Sequence, residues 1–424
     1  MKNEALGEQM TVIRHKSGLT VYICAKPLAS AYAIFGTRYG SFDNELTENG
    51  KSVTVPHGIA HFLEHKLFET EDGADSFEIF SELGADANAY TSFDRTAYLF
   101  SCTENFYESL EALINMVRTP VFTKQNVEKE QGIIAQEIKM CEDRPTGKLF
   151  YDLMRAMYGE HPVSIPIAGT VASIREITPE LLYECYGRFY KMSNMAICVC
   201  GSVEVDRIAE IIDRLIPEEA EWTDGVTFEA KPVSESVITP VVRSKAEISK
   251  PLFDIGIKHS GATAQSLAAC EILGEAVFGK CEELYGELFE RELVSDYQHG
   301  YEYSRAAAFF EISGNTPDPD KVLEIFTDAV LKIGRDGVDE AAFGRAKRKA
   351  YASAMLGFDD SESIAESVLE GFLVGSECFE MIEDYKRVSL DDVNALAKRL
   401  FVSDGIAMSV LYPINGSEDK ANEQ

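Results

Sequence analysis

Positive charge is scarce in this sequence: 40 Lys and Arg stand against 71 Asp and Glu, a net charge of −31. A chain this acidic repels nucleic-acid backbones and anionic membranes, both of which need basic patches, and it attracts cationic partners such as Lys/Arg-rich peptides. No apolar run approaches the ~20 residues that span a bilayer. Met1 to Met10 carries Lys2, Glu4 and Glu8 and lacks the ~7–15-residue apolar core of a secretory signal. The 9 cysteines are odd in number and contain no Cys-x-x-Cys pair, so no disulfide framework is expected. They read as buried thiols in a reducing compartment, and the cytoplasm is the expected location. Histidine is scarce too, at 7 residues.

What is present is length. Single cores stop growing near ~250–300 residues, so 424 residues point to two domains. Strand patterns occupy Thr11–Ile13, Thr20–Cys24 and Ala31–Tyr39. Helices are predicted from about Pro56 to Glu69 and from about Asp75 to Leu83, the second stopped by Gly84. The alternation over Ala89–Leu99 reads as a strand. Amphipathic helices follow at Phe106–Val117 and Thr123–Cys141, and Thr178-Pro179 opens another that leads to the apolar strand Met195–Gly201. Residues 218–237 are acidic, aperiodic and broken by Gly225 and Pro232, and so form the expected linker between domains 1–217 and 238–424. Beyond it the pattern recurs, with strands near Phe253–Ile257, Tyr297–Gly314 and Ala407–Tyr412; residues 416–424 read as a disordered polar tail. The recurrence suggests an internal duplication. Laying Gly58–His65 on Gly274–Cys281 puts Val277, Lys280 and Cys281 where His61, Glu64 and His65 stand, so the second domain is expected to share the fold and lack a metal.

The chemistry centres on His61-x-x-Glu64-His65. Residues four apart on a helix share a face, so both imidazoles can reach one ion, and Glu64 projects beside them. Ile59, Phe62, Leu63 and Leu67 fall on the opposite face, suited to a core. Hydrolytic zinc takes three protein ligands and keeps a position for water. Glu130 and Glu137, two helical turns apart, offer carboxylates on one face: Glu137 can complete the set, with Glu130 behind it orienting a ligand. A helical His pair is more often a surface or core feature than a metal site. Here, though, three of the 7 histidines fall between 57 and 65, and the chance expectation for the full five-residue motif is about 0.01. His57 is out of register with the pair and reads as a helix-entry residue.

These residues resemble a known family. Gly58-Ile59-Ala60-His61-Phe62-Leu63-Glu64-His65 is similar to the inverted zinc motif of the pitrilysin/insulinase peptidases, and Glu130-x6-Glu137 to their acidic helix, whose second Glu is the third ligand. Gly84 to Ser92 is similar to their active-site edge strand, which implies that Asn88 and Ala89 bind substrate. Gly169-Thr170, Ile174, Thr178-Pro179 and Ser193-Asn194-Met195 fit the rest of the first half. The resemblance implies an α+β fold of two homologous domains, each a mainly antiparallel sheet flanked by helices. It also implies one Zn2+ ion and pairing with a second homologous chain as a homodimer or heterodimer. Where the family often has a hydrophobic residue, this chain has Lys66.

The reading that follows is a zinc endopeptidase acting on unstructured peptides, with His61, His65 and Glu137 as ligands and Glu64 as general base. Glu130 assists at the site. Neither nucleic acid nor membrane is an expected partner. The competing reading is a zinc-binding structural or regulatory subunit, inactive without a partner chain. Family members also use an Arg and a Tyr from the second half. Arg291 and Tyr297 have a fitting spacing, with Tyr301 or Tyr303 as other choices for the aromatic, but a surface ion pair and a strand tyrosine explain them equally well.

Overall fold

A computed structural model of the chain describes residues 1–3, 7–48, 51–70, 76–218, 233–305 and 307–414. Most of the expected linker, 219–232, and the whole expected tail lie outside the described residues. By contacts the chain forms two compact units. Unit 1 comprises Met1–Ile138, Pro166–Ala230 and Ala354–Met381, and unit 2 comprises Lys139–Ile165, Lys231–Ser353 and Ile382–Gln424. The fold is α+β, with two mixed sheets each flanked by helices.

Unit 1 is built on β1 (Thr11–Arg14), β2 (Thr20–Ala25), β3 (Ala31–Thr37), β4 (Ala85–Thr91), β5 (Thr96–Cys102) and β6 (Met195–Gly201), in the order β1-β2-β6-β3-β5-β4. All pairs are antiparallel except β2 with β6. Unit 2 has β7 (Val241–Ala246), β8 (Leu252–Lys258), β9 (Tyr297–Tyr303), β10 (Ala308–Asn315) and β11 (Ile406–Pro413), in the order β7-β11-β8-β10-β9. Again only one pair, β7 with β11, is parallel. Apart from β1, the second sheet repeats the first strand for strand, as a duplication requires.

The alternation read as one strand over Ala89–Leu99 is instead the inner halves of two strands. Ser92 N donates to Arg95 O at 2.8 Å and turns the chain back, pairing Thr91 with Thr96. A tight turn without glycine or proline gives no strong break in the pattern. The residue pairing proposed for the duplication also fails locally. Helix Leu267–Phe278 ends where Gly279 becomes extended, so Lys280 and Cys281 lie beyond it and occupy no helical position equivalent to Glu64 and His65.

One face of each sheet packs on the helices of its own stretch of sequence, and burial of each large apolar side chain there contributes about 1.5–3 kcal/mol. The other face is covered by a helix from the other half of the chain: Ser361–Val374 in unit 1 and Pro145–Tyr158 in unit 2. Each approach needs a glycine in the central strand. A Cβ at Gly36 of β3 would lie 2.7 Å from Leu369, and one at Gly256 of β8 would lie 2.5 Å from Met157. Seven of the nine cysteines are buried; Cys141 and Cys281 are exposed, and none is in a disulfide.

Candidate metal centre and active site

The helix that carries the motif runs Ile59–Lys66, later than its expected start at Pro56. Gly58 explains the delay. Its φ of 90° is left-handed, and a Cβ there would meet Ala168 O at 2.4 Å, so the chain enters the helix only after a turn that glycine alone makes cheaply. Beyond Lys66, Phe68 N and Glu69 N bond to the carbonyls three residues back, tightening the last turn into the 3₁₀ form. Ile59, Phe62, Leu63 and Leu67 are all buried in the core of unit 1, which fixes the rotation of the helix and presents His61, Glu64 and His65 on its other face. His57 is held at the entry, its Nδ1 2.7 Å from the Asn44 amide and its carbonyl accepting from Ser173 Oγ.

The helix Lys124–Glu142 brings in both acids, anchored by buried Val127, Ile134 and Ile138. Glu137 Oε1 lies 3.5 Å from His61 Nε2 and its Oε2 3.4 Å from His65 Nε2. The two imidazole rings are 4.6 Å apart. Ligand-type atoms of His61, His65 and Glu137 all fall within 4.8 Å of one another, and among the described residues no other such group of His, Cys, Asp or Glu occurs. Two imidazole nitrogens and one carboxylate converge here at distances too long for good hydrogen bonds, a donor set that fits zinc. Three ligands leave room for water, as hydrolytic sites require.

Glu130 stands behind His65, with Oε1 at 3.1 Å from His65 Nδ1. With Nδ1 carrying the proton, His65 Nε2 keeps its lone pair toward Glu137. Burial opposes a charge on His65, but the Glu130 hydrogen bond and the charges of Glu64, Glu130 and Glu137 outweigh it and raise its pKa. Burial likewise disfavours the Glu130 carboxylate, and the contact with His65, helped by Lys66 and Lys129, lowers its pKa nonetheless. Lys66, only 1% exposed, contacts Glu69 and lies 3.7 Å from Glu130 Oε2. The departure from the family pattern noted at this position is therefore a buried cation paired with two acids.

Glu64 is half-buried, and its Oε2 accepts from Thr91 Oγ1 at 2.7 Å. Asn88 and Ala89 lie on β4, the last strand of the sheet, opposite Leu99 and Tyr98 of β5. Ala89 N is satisfied by the Asn88 side chain at 2.9 Å. A cleft of ≈ 380 Å³ brings together Glu64, His65, Glu130, Asn88 and Ala89, with Phe77 and Ile133 as apolar wall. Sequence reading missed Thr91. Its one signal was a hydroxyl residue in the stretch similar to the family's edge strand.

In unit 2, Arg291 pairs with Glu287 at 2.6 Å, and Tyr297 is buried with its hydroxyl donating to Phe278 O at 2.9 Å. Both have structural employment within their own unit.

Residues 54–171 match the family described as insulinase (peptidase family M16), and residues 176–350 match the peptidase M16 inactive domain. The chain belongs to the insulinase family, M16. The zinc protease YmfH of Bacillus subtilis is similar, 35% identical over 422 residues that cover 97% of this chain and 98% of that protein. An M16-like peptidase from Alicyclobacillus acidocaldarius has a similar structure, with a TM-score of 0.90, 33% identity and coverage of 96% of this chain and 99% of that one. A protease from Helicobacter pylori shares the fold, with a TM-score of 0.82 at 18% identity over 96% of this chain and all of that one. This M16 chain thus carries a zinc-dependent metalloendopeptidase site, formed by His61, His65 and Glu137 and suited to one Zn2+. Among the described residues no helix is long and apolar enough to cross a membrane.

Proposed function

We propose that Glu64 is the general base of peptide-bond hydrolysis, that Glu130 orients His65, and that Asn88 and Ala89 receive the substrate as an added strand. One observation carries the reading: Glu64 lines the cleft beside the ligand His65, with one carboxylate oxygen held by Thr91. Zinc in a three-ligand set acidifies water and polarises a carbonyl oxygen. Glu64 takes the proton of the attacking water and delivers it to the leaving nitrogen. Glu130 keeps His65 in one tautomer throughout. Along β4, Ala89 N exchanges the Asn88 side chain for a substrate carbonyl, and backbone pairing of this kind is largely blind to sequence.

The substrates in this reading are unstructured peptides of modest size, with cationic ones favoured by a net charge of −31. The chain works in the cytoplasm, as a homodimer or with a homologous partner. The division into 1–217 and 238–424, joined by 218–237, marks the sequence boundary of the duplication; the repeated strand order supports it.

The test is hydrolysis of a mixed library of short peptides by the zinc-loaded chain beside Glu64→Gln. Cleavage by the first and a loss of about 10²–10⁴-fold in the second is expected. Equal cleavage by both would remove Glu64 from the role of base. Silence from both, with zinc bound stoichiometrically, would favour a zinc-bearing subunit that needs a partner chain.

A further inference from the structure

A carboxylate works as a base when one oxygen is held and the other faces the water to be deprotonated. Thr91 supplies the hold at 2.7 Å. It is the last residue of β4, and Ser92 to Arg95 turn the chain directly after it. That turn is pinned from the opposite face of the sheet. Strand alternation sends Tyr90 to that face. There its hydroxyl donates to Glu366 Oε2 at 2.8 Å, while Tyr32 of β3 donates to Oε1 at 2.9 Å. Arg95, at the far end of the turn, grips both oxygens of Glu370 through its guanidinium. Glu366 and Glu370 lie one helical turn apart on Ser361–Val374, so a single helix holds both ends of the turn. On the near side Thr96 Oγ1 donates to Tyr39 O at 2.9 Å.

We infer that Thr91 is a positioning residue for the reaction: its hydroxyl fixes the Glu64 side chain so that Oε1 meets the attacking water, and the Tyr90–Glu366 and Arg95–Glu370 pairs hold the turn that places it. The inference rests on Glu64 being the base. Thr91 keeps its proton throughout and touches neither substrate nor water. The bland alternative is that two half-buried polar groups merely satisfy each other, in which case the bond matters to stability and not to turnover.

The two are separated by kcat, KM, zinc content and melting temperature for wild type, Thr91→Val and Thr91→Ser. They are read with a quenched-fluorescence peptide from the library, and with the homologous chain present if turnover needs it. Valine keeps the shape and removes the donor. It is expected to lower kcat about tenfold or more with KM, zinc content and melting temperature unchanged, and serine is expected to restore most of the rate. A readout free of turnover is the crystal structure of zinc-loaded Thr91→Val, where Glu64 is expected in more than one rotamer. Unchanged kcat in Thr91→Val overturns the inference. So do equal losses in the valine and serine variants, a loss that tracks zinc or melting temperature, or a single unaltered Glu64 rotamer. Should Glu64→Gln turn over like wild type, the base assignment falls first, whatever Thr91 does.

Discussion

In unit 1 the helix after β3 presents His61 and His65, and the long helix Lys124–Glu142 adds Glu137. In unit 2 the helix after β8 presents Glu275 and the long helix Glu340–Leu356 presents Lys349. Lys349 Nζ donates to Glu275 Oε1 at 2.6 Å, and His299 on the edge strand β9 lies 3.6 Å from the other oxygen. Burial lowers the His299 pKa against the pull of Glu275, with Lys349 and Lys280 adding to the lowering. The second unit therefore sets an ammonium of the chain itself against its inward carboxylate, whereas the first sets two imidazoles against Glu137. The same scaffold supports both. Which it becomes is decided by a handful of positions on two helices, since two histidines and a carboxylate converging on one point make a metal donor set and one acid bonded to a lysine does not.

The largest test of that contrast is paired. His61→Ala is expected to strip zinc and abolish turnover, whereas Lys349→Ala should leave zinc content and turnover within about twofold of wild type. Zinc analysis alongside peptide hydrolysis reads both, and zinc loss in Lys349→Ala would break the comparison.

The next concerns protons. His259 of unit 2 is buried, with Nδ1 2.6 Å from the Tyr301 hydroxyl and Nε2 accepting from Arg399 at 2.8 Å. Burial, then the Arg399 charge, lowers its pKa to about 4. An unfolded histidine titrates near ~6.5, so between these values the unfolded chain binds a proton that the folded one refuses. Stability is therefore expected to fall as pH drops through that window, by about 3 kcal/mol in all. Urea unfolding at pH 7 and pH 4.5, with His259→Gln as control, measures the effect; an equal fall in the variant would assign it elsewhere.

The smallest sharpens the likeness of the units. Gly36→Val and Gly256→Val each crowd the crossing helix and should cost about 1–3 kcal/mol apiece. Denaturant midpoints that drop for one and not the other would show that the two crossings are not equivalent.

The metal set was legible in the sequence because it is local: His61, Glu64 and His65 sit within one turn or so, and Glu130 and Glu137 two turns apart on one helix. Four strands of unit 1, the strands near Phe253–Ile257, Tyr297–Gly314 and Ala407–Tyr412 in unit 2, and the main helices were legible from periodicity. What escaped has partners distant in sequence. Thr91 meets Glu64 only after the sheet has formed, and Ser361–Val374 finds β3, more than 320 positions earlier, only in the finished unit. The turn at 92–95 lacked glycine and proline, so its two strands ran together as one. The pairing of Glu64 with Lys280 failed because it matched letters where the strands set the register.

The crossing helices also set an order of events during translation. His61, His65 and Glu137 leave the ribosome early, yet one face of their sheet stays bare until Ser361–Val374 has been made. A nascent chain can thus collect its zinc donors long before it can cover β3 and β6 or tie down Tyr90 and Arg95. Until then Tyr32, Ile34 and Cys198 of that sheet lack their cover, and a chain cut before Ser361 keeps all three ligands on an unfinished sheet.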